Sequence, residues 1–156
     1  MSDATRERHI ARPVDEVWAA LADFGAIARW AADVDHSCLM SDQQTGVDTA
    51  RRVQVGRLAL VERVTTWEPD LPCTLAYDIE GLPAALGTVS NRWVLERVGS
   101  GTTARVTASV EGGPRPPLKV AARVGAARLA KANEAMLQGL DRYLAGRPAT
   151  RTGATA

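Results

Sequence analysis

Apolar residues recur with a helical period near the start of the chain and with a period of two through its middle. Val14, Val17, Trp18 and Leu21 fall at i, i+3, i+4 and i+7, the spacing of one helical face. Pro13 stands at the expected first helical position, with Asp15 and Glu16 in the first turn where the helix dipole favours acids. Asp23-Phe24-Gly25 ends this helix, and a shorter one carrying Ile27 and Trp30 follows. A short extended piece, Thr5 to Ala11, precedes both. From Val34 to Glu111 the alternation predicts six strands, near Val34–Met40, Thr49–Val55, Leu58–Thr66, Thr74–Glu80, Thr88–Val98 and Thr103–Glu111. Turn residues separate them at Gly56-Arg57, Glu68-Pro69-Asp70, Gly81 to Gly87, and Gly99-Ser100-Gly101.

The proline-rich connector Gly112 to Pro117 leads into a long helix, Leu118 to Leu144. At 100° per residue, Leu118, Ala122, Gly125, Leu129, Ala132, Met136, Leu140 and Tyr143 share one face. Lys119, Arg123, Lys131, Glu134, Gln138, Asp141 and Arg142 lie opposite. The order strand, two helices, six strands, long helix predicts an α+β domain over residues 1–145. Its seven-stranded antiparallel sheet has one face that the long helix covers. The small residues Ala122, Gly125 and Ala132 predict a void under that helix. Residues 146–156 have no apolar periodicity and are expected to be a disordered tail.

Alternation also assigns inward positions. A two-residue turn at Gly56-Arg57 opposes Val55 to Leu58, Val53 to Leu60 and Arg51 to Glu62, an ion pair on an otherwise apolar face. With Ser100-Gly101 as the next turn, Trp93 opposes Ala108 and Asn91 opposes Val110. Leu75, Tyr77 and Ile79 share a face, as do Val34, His36, Cys38 and Met40. The expected cavity therefore presents His36, Arg51, Glu62, Tyr77 and Asn91 among walls formed by Val53, Leu60, Trp93, Gly125, Leu129 and Met136. Apolar area with a few convergent polar groups suits a small-molecule site. The bland alternative for Arg51–Glu62 is a structural pair, and for His36 a satisfied core or rim histidine.

Composition narrows the functions. The chain has 156 residues and a formal net charge of +1, giving no push toward nucleic acid. The opening MSDATRERH has no apolar segment behind it, so a secretory signal is not expected, and no apolar run reaches a membrane span. Two separated cysteines, Cys38 and Cys73, read as reduced thiols of a cytoplasmic protein. With two histidines and no ligand cluster, neither a metal nor a cofactor is expected. Arg115, Lys119, Arg123, Arg128 and Lys131 precede the first acid of the long helix, Glu134, against the helix dipole. Such a surface suits a weak contact with an anionic surface or a carrier protein; a solvated face or a homodimer contact is the alternative.

The run I-A-R-P-V-D-E-V-W at Ile10 to Trp18, with Trp30 after a short helix and this element order, resembles the START-like SRPBCC superfamily, in particular its bacterial polyketide cyclase/dehydrase-type members. The resemblance implies a helix-grip fold, a curved sheet around a long C-terminal helix with an apolar cavity between. It implies binding or transport of a lipid-like or polyketide-like molecule, or cyclisation or dehydration of a bound polyketide. His36 and Glu62 match polar ligand positions of plant hormone receptors in the superfamily. Gly81 to Gly87 matches their gating loop in place, with alanines where they carry polar gate residues. Three functions stay open. One is a binding module anchored by Arg51 and Glu62. Another is an enzyme with Glu62 or His36 as acid–base group and Arg51 stabilising an oxyanion. The third is an auxiliary protein acting through its basic helix.

Overall fold

The computed structural model describes residues 1–148, so most of the tail expected to be disordered lies outside the described residues. Strand β1 (Ser2–Ile10) leads to helix α1 (Val14–Ala22) and a 3-10 helix (Phe24–Arg29). Six strands follow: β2 (His36–Leu39), β3 (Ala50–Val55), β4 (Leu58–Glu68), β5 (Cys73–Glu80), β6 (Val89–Val98) and β7 (Gly101–Val110). Helix α2 (Pro116–Ala145) closes the domain. All strand pairs are antiparallel, in the order β1-β7-β6-β5-β4-β3-β2. The chain is thus an α+β protein whose curved seven-stranded sheet grips the long helix. No helix among the described residues is long and apolar enough to cross a membrane.

Pro13 is the residue before α1 rather than its first helical position; its ψ of 149° is extended. The β3–β4 register is as the pattern predicts, with Arg51 opposite Glu62 and Gly56 at φ 58° in the turn. The β6–β7 register differs from expectation by two residues. Val98 pairs with Gly101, so Trp93 opposes Val106 and Asn91 opposes Ala108. The cause is Gly99, whose φ of 60° seats Gly99-Ser100 at the turn, because a hairpin loop of this length needs left-handed backbone. A shift of two leaves every side chain on its expected face. A bulge between Val64 and Thr66 breaks the alternation in β4, leaving Thr65 exposed and Trp67 packed edge-on against Trp18 at 5.4 Å.

Helix α2 buries Ala122, Ala126, Ala130, Asn133, Leu137, Leu140 and Leu144. This stripe is rotated about one residue from the predicted face. Alanines let the helix approach the sheet closely, whereas the larger Leu129 and Met136 are only half-buried. Gly139 lies tight against the end of the 3-10 helix, since a Cβ there would collide with the Trp30 carbonyl oxygen. In an open helix, Gly→Ala stabilises by about 1 kcal/mol. Gly139→Ala is expected to have the opposite sign, lowering stability by about 1–3 kcal/mol through overpacking. A rise in thermal midpoint for this variant would contradict the packing described.

Candidate functional site

A cavity of about 510 Å³ opens between the β3–β4 hairpin, the segment 31–35 and the middle of α2. Val53, Leu60 and Ile79 from the sheet, Ile27 from the 3-10 helix, and Leu129 and Met136 from α2 supply apolar wall. Glu62, Asn91 and Asn133 are the buried polar groups in the lining, while Asp33 and Asp35 stand exposed. A second depression, of about 330 Å³ and lined in part by Arg12, Glu16, Arg29 and Arg147, lies by the end of α2.

Glu62 is held from behind. The Arg51 Nε and Nη2 groups both donate to Glu62 Oε1, at 2.8 and 2.7 Å, and Arg51 Nη1 donates to the Phe24 carbonyl at 3.0 Å. The guanidinium stacks 3.8 Å from the Phe24 ring centroid and 4.8 Å from that of Tyr77, so its faces are covered as well as its edge. Arg51 is 2% exposed and is not in the cavity wall. Glu62 is in that wall. Its Oε2 has no protein hydrogen bond among the described residues, which leaves it as the acceptor presented to the cavity.

Beside Glu62, two buried amides form a reciprocal pair. Asn91 Nδ2 donates to Asn133 Oδ1 at 3.1 Å and Asn133 Nδ2 donates to Asn91 Oδ1 at 2.9 Å. Asn91 Nδ2 also donates to the Tyr77 hydroxyl at 3.3 Å, as does Trp93 Nε1 at 3.4 Å. Burial, followed by the nearby Glu62 charge, pushes the Tyr77 phenol above its ordinary pKa. Tyr77 therefore acts at neutral pH as an uncharged acceptor that aligns its neighbours.

The structure sorts the expected site residues into three groups. Val53, Leu60, Glu62, Asn91, Leu129 and Met136 line the cavity. Arg51, Tyr77 and Trp93 lie behind its wall; Trp93 is 1% exposed and packs edge-on against Trp30 at 6.0 Å. His36 and Gly125 belong elsewhere. His36 is exposed, opposite Gln54 on the outer face of the sheet, and so are Cys38 and Met40. The reason is Ser37, whose hydroxyl donates to Gly25 O at 2.8 Å and accepts from Ala28 N at 3.1 Å. That contact turns Ser37 and Leu39 inward, and the alternation linking Val34 to His36 breaks because β2 begins only at His36. Gly125 faces Leu86 of the Gly81–Gly87 loop and Val110, away from the cavity.

Asn133 was not among the expected site residues. Its signal is a polar residue within the stripe Ala126, Ala130, Leu137 and Leu140, visible only with the helix face assigned one residue over. On the outer side of α2, Lys119, Arg123 and Arg128 are exposed, with no ion pair to any of them among the described residues.

Solved structures share this fold. TTHA0849 from Thermus thermophilus superposes with a TM-score of 0.73 at 19% identity, over 94% of this chain and 100% of that one. The Zhui aromatase/cyclase from Streptomyces sp. R1128 gives 0.74 at 17% identity, over 90% and 92%. The di-domain ARO/CYC BexL from the BE-7585A biosynthetic pathway gives 0.74 at 16% identity, over 93% of this chain and 47% of that one. A search of curated proteins finds no match. The sequence model described as polyketide cyclase / dehydrase and lipid transport matches residues 1–145, and the chain therefore belongs to that family.

Proposed function

We propose that this protein binds a small, largely apolar molecule in the cavity between the β3–β4 hairpin and α2, with Glu62 as its polar anchor. The observation that carries this is a cavity of about 510 Å³ with apolar walls and one buried carboxylate in its lining, whose Oε2 accepts no protein hydrogen bond among the described residues. The volume falls in the ordinary range of ligand pockets, roughly 300–1,000 Å³. The family description, which joins cyclases and dehydrases with lipid transport, is compatible with a lipid-like or polyketide-like ligand.

Cyclisation is the second reading, favoured by the family and by the fold shared with the Zhui aromatase/cyclase. In it, Glu62 would take a proton next to a bound carbonyl. Placement of the other groups supports binding instead. Arg51, the candidate oxyanion stabiliser, has its donors on Glu62 and Phe24 and sits behind the wall. His36, the candidate second acid–base group, lies on the outer face.

Native mass spectrometry of protein purified from its host tests the proposal. The expected result is an added mass of small-molecule size that organic extraction removes. Leu60→Trp, which fills the cavity from its wall, is expected to weaken that binding at least about fivefold, since overfilling a site costs on the order of 1–3 kcal/mol. Unchanged occupancy in a folded Leu60→Trp protein would place the ligand elsewhere. Conversion of a bound polyketide that Glu62→Gln abolishes while binding persists would favour the enzyme.

A further inference from the structure

We infer that the cavity selects a neutral amphiphile ending in a hydrogen-bond donor, such as an alcohol or an enol, and rejects the corresponding acid. This rests on the cavity being the binding site, and it goes further by naming the chemistry of the ligand's polar end.

The charge pattern of the lining is one-sided. Its titratable side chains are Asp33, Asp35 and Glu62, and no Lys, Arg or His is among them. The cations of α2 near it, Arg128 and Lys131, are exposed and outside the lining. The buried member of the three decides the specificity. Glu62 has 8% of its side chain exposed, and Oε1 already takes two bonds from Arg51. Arg51 balances its charge but sends no donor into the cavity. What Glu62 itself leaves for a ligand is Oε2, the second acceptor oxygen of a carboxylate ion-paired with Arg51.

A hydroxyl satisfies that oxygen with a charge-assisted bond, roughly twice as strong as a neutral one. An ether offers only acceptors and leaves Oε2 desolvated without a donor, which is costly. A carboxylate is worse, because it sets a second anion beside Glu62 where water is scarce, after passing Asp33 and Asp35. Asp35 is fixed where it stands, since its Oδ2 accepts from Gly56 N at 2.8 Å.

Three probes of similar chain length separate the cases: 1-decanol and 1-methoxydecane, titrated calorimetrically below their solubility limits, and decanoate, below its micelle concentration. Decanol is expected to bind at least about tenfold more tightly than decanoate, with the ether between them. Glu62→Gln then shifts the preference toward the acid. The amide oxygen can stay on Arg51 while its N–H group faces the cavity, a donor in place of an acceptor. Decanoate should gain at least about tenfold relative to decanol, a shift that a merely structural Glu62 would not produce. If that variant does not fold, the wild-type ranking decides alone. Equal binding of decanol and decanoate, or preference for the acid, overturns this inference and leaves the binding function standing. Failure of all three probes to bind overturns both.

Discussion

Arg51→Met is expected to destabilise the protein by about 3–5 kcal/mol, the cost of leaving a buried partner charge uncompensated. Glu62 is 6% exposed, and both of the hydrogen bonds its carboxylate receives among the described residues come from Arg51. Removing the guanidinium also takes a side-chain donor from the Phe24 carbonyl and the cation from the Phe24 face. The double variant Arg51→Met/Glu62→Leu should recover most of the loss, because replacing a buried pair by apolar groups of similar volume is often neutral or better. Urea unfolding at neutral pH measures both. A single variant that loses under about 1 kcal/mol would mean that Glu62 finds water or another donor. Under the proposed function the pair is structural on its Arg51 side and offers a ligand its Glu62 side.

The second large effect is expected at the amide pair. Asn133→Leu removes one acceptor and one donor from Asn91, itself 2% exposed, at a cost of about 2–4 kcal/mol from two buried groups left unsatisfied. Asn91→Leu should cost a similar amount, because Asn133 then loses both partners and Tyr77 loses one of its donors. The double variant should cost much less than the sum, giving a coupling of at least about 1 kcal/mol in a double-mutant cycle. A coupling under about 0.5 kcal/mol would mean that the amides pack without depending on each other. The pair also bridges β6 and α2 at the cavity wall. Leucine there is apolar but cannot reproduce the hydrogen bonds that lock helix and sheet in one relative position.

The element order was legible because each segment's period of two or 3.6 is a local property of the chain. The same holds for the β3–β4 register, where a two-residue glycine turn and an apolar face agree and bring Arg51 opposite Glu62. In other places the structure departs from the pattern, and not all of the causes are local. Ser37, bonded to Gly25 and Ala28, sends His36 to the outside. The bulge at Val64 to Thr66 reverses the facing of β4 without a glycine or proline to announce it. Helix α2 is turned so that alanines meet the sheet and bulkier Leu129 and Met136 border the cavity. Side-chain size at close approach, rather than hydrophobicity alone, decides which face is buried.

The sequence by itself determined the architecture, the inward face of β3 and of β4 as far as Val64, and the candidate carboxylate, because periodicity and turn chemistry act over a few residues. Only the tertiary structure decided which polar groups reach the cavity. It covers Arg51 with Phe24 and Tyr77, seats Trp93 against Trp30, and joins Asn91 to Asn133, 42 residues away. Alternation tells only which side of the sheet a residue occupies. Whether it meets a ligand there depends on what the helices, packed against that side, leave uncovered.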